Sequence, residues 1–372
     1  MQQPVAHVPI AIAGTGFGGL GMAIRLKQAG FADFTLFERA DDVGGVWRDN
    51  TYPGCACDVE SHLYSFSFAP NPTWSRAYSP AREIRAYLRG CAERFGILPH
   101  VRFGHEVKDA VWEEDRRRWR FETSQGVFTA DVFIAGVGGL SEPSIPKLPG
   151  LETFRGKVMH SARWDHGYAL EGRRVAVVGT GASAIQFVPA IQPKVGRLFL
   201  FQRTPPWILP RRDRAIPALL QRAYAAVPAL QRLSRVRIAA LRELMVVGFM
   251  NPRIMALLQR LALRYLKRMV KDEALRRKLT PDYTIGCKRI LISDDYLPAL
   301  TQPNVEVVTD GIQEIRPGAI VARDGTVREV DALIFGTGFH ASDFLRSFRV
   351  FGEGGVELHE RWGGDARAYL GT

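Results

Sequence analysis

Cysteine is scarce in this sequence: 372 residues include only Cys55, Cys57, Cys91 and Cys287, at uneven spacing. That pattern excludes a disulfide framework and makes a reducing cytoplasm the default compartment. No C-x-x-C occurs, and the C-x-C at residues 55–57 argues against a dithiol reductase; two inert loop thiols are the better reading. Long apolar runs are also missing. The apolar start at residues 9–13 runs directly into a glycine turn, so nothing resembles a signal peptide or a transmembrane helix. Acids are locally scarce as well: residues 211–280 hold 17 Lys/Arg against 4 Asp/Glu, a net of +13, while the whole chain carries +12. The rest is therefore close to neutral. A local basic patch argues for one contact, with an anionic cofactor or a membrane surface, and against general nucleic-acid binding. No metal site is expected.

What is present is organised around residues 10–38, IAIAGTGFGGLGMAIRLKQAGFADFTLFE. A short apolar run delivers Gly14-x-Gly16-x-x-Gly19, an amphipathic run follows to Gly30, and a second apolar run ends in Glu38. Strand, tight turn, helix and strand, with an acid about 20 residues after the glycines, form the context that a dinucleotide site requires. The glycines let a pyrophosphate approach the helix N-terminus, and Glu38 can accept hydrogen bonds from ribose hydroxyls.

A second unit of the same kind begins at Arg174, with Gly179-x-Gly181-x-x-Ala184 as its turn. Glu38 lies 24 residues after Gly14, and Arg203 lies 24 residues after Gly179. The same position thus carries an acid in one unit and a base in the other. An acid suits free ribose hydroxyls, whereas an arginine suits a 2′-phosphate through charge and paired donors. The second site is expected to take NADP rather than NAD.

The fold class expected is α/β: two dinucleotide-binding, Rossmann-like domains, the second carrying a helical insertion. The expected segments are 1–150 and 329–372 for the first domain, 151–215 and 281–328 for the second, and 216–280 for the insertion. Breakers in residues 43–58 predict a long loop beneath the first nucleotide site. A helix is predicted from Ser79 as N-cap with Pro80 in its first position, strands over 101–112 and 119–128, and a buried strand over 130–138. The insertion reads as two or three helices broken at Pro228 and at Asn251-Pro252; it is either a lid with a lipid-facing side or an ordinary helical subdomain. Asp131 and Asp331 each open an apolar strand ending in glycines, expected to mark returns to the cofactor-binding layer.

Two dinucleotide units side by side fit electron transfer from a nicotinamide to a second redox cofactor, for which flavin is the natural candidate. With no internal thiol acceptor, the reduced flavin would pass electrons to oxygen or a small substrate. An anionic oxygen species there needs a cation, and Lys288-Arg289 supplies the best candidate, with Asp58 able to orient the arginine or else to cap a turn.

At this point a resemblance enters. Phe154-x-Gly156-x-x-x-His160-x-x-x-Trp164-Asp165, placed between the two units, resembles the fingerprint of the Baeyer–Villiger monooxygenases, and the resemblance runs along nearly the whole chain. It implies FAD held by Gly14, Gly16, Gly19 and Glu38, with Gly44, Gly45 and Trp47 on the flavin side and Gly336 and Gly338 in a second FAD contact. It implies NADPH held by Gly179, Gly181, Arg203 and Thr204, with Lys288 joining Arg203 at the 2′-phosphate. Arg289 becomes the catalytic arginine beside a flavin C4a-peroxide, tuned by Asp58 in the YPGxxCD loop, and His160 and Trp164 couple the domains. The implied reaction inserts one oxygen atom of O2 beside a ketone carbonyl, giving an ester or lactone; the enzyme is monomeric or homo-oligomeric. Relatives oxidising nitrogen or sulfur share both units and remain the alternative. Family members usually continue beyond the position of Thr372, so weak FAD binding without productive oxygenation is a further expectation.

Overall fold

Short apolar runs alternating with glycine turns and helical stretches leave few arrangements other than parallel strands joined by crossovers. The computed structural model describes residues 5–249, 251–340, 345–364 and 366–369. The chain forms two compact units, one from Met1–Asp49, Arg82–Ser144 and Phe339–Thr372, the other from Asn50–Ala81 and Ile145–Gly338. The last residues expected in the first domain lie outside the described part.

In the first unit, β1 (Ala6–Ala13) leads through α1 (Phe17–Gln28) to β2 (Phe34–Phe37), and the one-turn helix α2 (Val46–Asp49) and α3 (Ala81–Arg94) precede β3 (Val101–Arg102). β4 (Val107–Glu113), β5 (Arg118–Thr123) and β6 (Gly126–Ala135) form an antiparallel meander. β6 then pairs parallel with β1, and β1 and β2 continue the parallel part to β3. The core is aromatic: Phe37 meets Phe121 and Phe128 edge-on at 5.0 and 4.9 Å between ring centroids.

Three expectations need correction here. The run 101–112 is two strands on different parts of the sheet, and the run 119–128 is a hairpin turning at Gly126, whose φ of 140° suits only glycine. Ser79 is not an N-cap: its hydroxyl donates to Ser61, Pro80 bridges to Ala56, and α3 starts one residue later. Residues 50–81 belong to the second unit, because their hydrogen bonds run to Gln186, Arg211 and Asp213 rather than to the first nucleotide turn.

The second unit is built on a wholly parallel sheet, with β7 (Lys157–His160), β8 (Arg174–Val178), α4 (Ala184–Ile191) and β9 (Arg197–Phe201) first in sequence. A two-stranded parallel pair follows from β10 (Ile208–Leu209) and, after the insertion, β11 (Leu291–Ile292). Among the described residues the insertion holds four helices rather than the two or three expected, α5 (Ala218–Ala226), α6 (Pro228–Phe249), α7 (Pro252–Met269) and α8 (Glu273–Lys278); the first two breaks fall at the predicted prolines, and the third precedes Asp272, which caps α8. After α9 (Tyr296–Leu300) come β12 (Val305–Val308), the antiparallel sheet of β13 (Ile312–Arg316), β14 (Ala319–Ala322) and β15 (Val327–Glu329), and β16 (Ala332–Phe335). The main sheet has the order β12-β9-β8-β16-β7. Both of its faces are buried, Val175 and Val177 toward α4 and Ala176, Phe199 and Leu333 toward β13–β15, which explains the unbroken apolar runs.

β16 thus sits between β8 and β7 of the second sheet. The return to the first unit comes at Phe339, not at the expected 329, after which β17 (Arg349–Phe351) pairs parallel with β4. Among the described residues no helix is long and apolar enough to cross a membrane.

Candidate active site

Two nucleotide cradles share one construction. In the first, Gly14 takes a φ of 92° and donates its N–H to the Phe37 carbonyl at 2.8 Å. A Cβ on Gly19 would lie 1.9 Å from the Gly14 carbonyl oxygen, so only glycine lets α1 start this close to the turn. Gly16 faces Gly45, where a Cβ would come within 2.9 Å of the Gly16 Cα, and the Gly44 N–H donates to Thr15. Trp47 sits half-buried on α2 just beyond. The first turn of α1 has neither a side-chain cap nor an acid, leaving its N–H groups for an anion.

Glu38, at the end of β2, is 4% exposed. Its carboxylate accepts from the Thr15 N–H and hydroxyl and from the Ala40 N–H, and it pairs with Arg48 at 2.9 Å. Arg48 is itself buried and bound to Asp49 and to the Asp42 carbonyl. Sequence reasoning missed Thr15 and Arg48; the only signal was that both flank glycine turns already singled out.

In the second unit Gly179 takes a φ of 104° and donates to the Phe201 carbonyl at 3.1 Å. A Cβ there would lie 2.5 Å from the Gly336 carbonyl. Gly336 therefore backs the second turn, just as Gly136 backs Gly14 in the first. Ala184 fills the position of Gly19 and is fully buried against Gly336. Gly181 accepts from the Ile185 N–H, and the Thr180 hydroxyl donates to the Thr204 carbonyl at 3.1 Å. α4 also begins without a cap or an acid.

Arg203 follows β9, exposed, with no hydrogen bond or ion pair among the described residues. Lys288 is exposed too, its Nζ 4.7 Å from the centre of the Tyr283 ring, and Trp207 donates to the Tyr283 carbonyl at 2.9 Å. Because β10 and β11 pair in parallel, the segments bearing Arg203 and Lys288 enter that pair from the same end.

Asp58 and Arg289, 231 residues apart, form an ion pair. The Asp58 loop hangs from α4 by Gln186, whose Oε1 accepts from the Tyr52 hydroxyl at 3.0 Å and the Ala56 N–H at 3.2 Å, while its Nε2 donates to the Ala56 carbonyl. Gly54 approaches the Gln186 backbone so closely that a Cβ would sit 2.6 Å from its carbonyl. Arg211 donates to the Cys57 carbonyl from the other side. Burial pushes the Cys55 thiol up to about 11 and the Cys57 thiol up to about 12, so both stay protonated and unreactive near neutral pH. Neither Gln186 nor Arg211 belongs to a short motif, and sequence reasoning missed both.

The fingerprint residues pack within the second unit. Gly156 leaves room for the Phe154 ring and the Asp331 carbonyl, either of which a Cβ would meet inside 2.7 Å. His160 ends β7, 2% exposed; its Nδ1 accepts from the Ala162 N–H, and burial pushes its pKa down, offset in part by a hydrogen bond to the Gly338 backbone. Trp164 packs on Phe187 of α4 at 5.5 Å, and Asp165 pairs with Lys157.

The cradles fit one dinucleotide each, the first with a ready-made ribose acceptor and the second with a free cation. The sequence profile of the flavin-binding monooxygenase-like family matches residues 7–350. A Baeyer–Villiger monooxygenase of Streptomyces coelicolor is 54% identical over 371 residues, covering 100% of this chain and 72% of the relative. One from Pseudomonas aeruginosa is 52% identical, covering 98% and 70%. Cyclohexanone monooxygenase from Rhodococcus sp. Phi1, solved bound to NADP+, superposes with a TM-score of 0.89 at 30% identity, over 99% of this chain and 77% of that one. The chain belongs to the flavin-binding monooxygenase-like family, as a Baeyer–Villiger-type enzyme that uses FAD and NADPH.

Proposed function

We propose that this enzyme converts a ketone to an ester or lactone and that Arg289, held by Asp58, is its catalytic cation. The observation that carries the assignment is the Asp58–Arg289 ion pair, assembled from two distant segments and suspended from the NADP-side helix by Gln186. Bound FAD, reduced by NADPH, supplies the activation of O2; one oxygen atom enters the product and the other leaves as water. Glu38, Gly14, Gly16 and Gly19 hold the adenosine and pyrophosphate of FAD, with Gly44, Gly45 and Trp47 beside them. Gly179, Gly181, Thr204, Arg203 and Lys288 hold NADPH.

Arg289 is 64% exposed on its side chain, so its planar guanidinium can be presented to a reacting group. Its role is to stabilise the negative charge that develops on the ketone oxygen when the carbonyl carbon is attacked. Asp58, 27% exposed, restrains the guanidinium and offsets its charge.

Incubation with NADPH, O2 and a cyclic ketone, followed by product analysis, tests the reading. Lactone is expected, and Arg289→Ala should lower its formation by about 100-fold or more while NADPH binding persists. Oxygenation of an amine or thioether with no lactone from any ketone would overturn it in favour of the nitrogen- and sulfur-oxidising relatives.

A further inference from the structure

The longest helix of the insertion is turned inside out. On α6, Gln231, Arg235 and Arg242 fall within about 40° of one another at roughly 100° per residue, and all three point into the second unit. Gln231 donates to the Asn71 carbonyl, Arg235 donates to the carbonyls of His62, Leu63 and Ser65 at 2.9–3.1 Å, and Arg242 pairs with Glu60. The opposite face carries Leu233, Leu244 and Val247, which are 66%, 68% and 59% exposed. α7 has an ordinary apolar inner face, with Met255, Ala262 and Leu266 buried, but it extends the outward apolar surface through Ile254, Leu257 and Leu261, which give way to Arg264 and Arg268. Most of the exposed large apolar side chains among the described residues fall between Leu219 and Leu263. A helix that spends its polar residues on the interior and its leucines on the outside needs a cover.

Charge selects the cover. Residues 216–271 contain 11 Lys/Arg and a single acid, Glu243. All but Arg235 and Arg242 of those bases are exposed. A second copy of this face would bring like charges together across the contact, which is unfavourable. A nucleic acid would satisfy the arginines and leave the leucines in water. An anionic lipid surface satisfies both, taking the leucines among its acyl chains and the arginines among its phosphates. Since no described helix can cross a bilayer, the segment would lie in the plane of the interface.

We propose that α5–α7 form a lipid-binding face that seats this enzyme on an anionic phospholipid bilayer. Flotation of the full chain with vesicles of phosphatidylcholine alone, or of phosphatidylcholine with phosphatidylglycerol, tests it. Association with the anionic vesicles is expected, weakened by salt and weaker by at least several-fold on the neutral ones. Leu233→Gln with Leu244→Gln should reduce partitioning by about tenfold or more, and Arg237→Gln by about fivefold. These side chains are exposed, so the circular dichroism and melting of the variants should match the parent. The proposal is overturned by no vesicle association, by equal binding to neutral vesicles, or by binding indifferent to the leucine pair. A concentration-dependent dimer that the leucine pair dissolves, without vesicle binding, would also overturn it and assign the face to self-association.

Discussion

The two cradles solve the same backbone problem and opposite chemical ones. Each starts from an inner strand whose glycine turn is backed by the glycine after the neighbouring parallel strand, Gly136 after β6 in the first unit and Gly336 after β16 in the second. Each has a residue 24 positions after its first glycine, proposed to read the ribose. The first unit buries that residue as Glu38 and locks it to Arg48 and Thr15; the second leaves Arg203 in solvent with no partner among the described residues. On the assignment proposed above, FAD would meet a site already assembled, whereas NADPH would meet a free charge. Recognition is built into the core on one side and added at the surface on the other.

The sharpest way to break this comparison is to delete both residues. Glu38→Ala leaves Arg48 buried without one of its carboxylates and should destabilise the first unit by about 3–5 kcal/mol, read as a lowered melting temperature of the flavin-free protein. Arg203→Ala should leave melting unchanged. Equal melting of the two variants would mean that Glu38 is as dispensable to the fold as Arg203, and the distinction would fail.

Arg203→Ala should show its effect elsewhere. Losing a charge-assisted contact with a 2′-phosphate costs about 1.5–3 kcal/mol, so the KM for NADPH should rise some 10- to 100-fold with kcat and the KM for NADH little changed. A parallel rise for NADH would place Arg203 on a part of the cofactor common to both.

Gln186 sharpens the comparison in a third way, because it ties a loop to the nucleotide helix and has no partner of its kind in the first unit's α1. Gln186→Leu strands the Ala56 N–H and carbonyl and the Tyr52 hydroxyl, at about 1–3 kcal/mol. Product formation should fall more than NADPH affinity, since the loop carries Asp58 and not the cradle. Unchanged product formation would show that Arg289 needs no such support.

Much of this was legible in sequence because it is local. Glycine turns, the acid and base at matched offsets, and the proline breaks of the insertion depend on residues within one βαβ unit. Pairing Asp58 with Arg289 was only one of two readings from chemistry, beside a turn cap, and the family resemblance chose it, as nothing in 231 residues of separation announces it. Residues 43–58 read as a loop beneath the first cradle because they follow it in the chain; the allegiance of residues 50–81 is set by Gln186, Arg211 and Asp213, which lie far away in sequence. α6 was misleading for a related reason. Its apolar period is real, but which face turns inward is decided by the carbonyls of residues 62–65 that Arg235 satisfies, and no helical pattern encodes those.

The smallest expected difference between the units lies at the strands that return to each cradle. Asp331 accepts from the Arg174 N–H at 2.8 Å and pairs with its guanidinium at 2.7 Å, whereas Asp131 meets only His7, at 3.5 Å and largely in solvent. The Arg174 hydrogen bonds, which outweigh the desolvation that opposes them, hold the Asp331 carboxyl below its ordinary 3.8. A depressed folded-state pKa means that the unfolded chain binds the proton more readily; the strap's contribution is present above about pH 4 and fades as pH falls through the folded value. Because Arg174 is 42% exposed, solvent screens the pair, and the contribution is at most about 1 kcal/mol. Melting temperature followed from pH 6 to pH 3 should fall less steeply in Asp331→Asn than in the parent, and Asp131→Asn should change that slope less. If the two variants flatten the acid limb equally, the strap on the second sheet is no stronger than the solvated contact on the first.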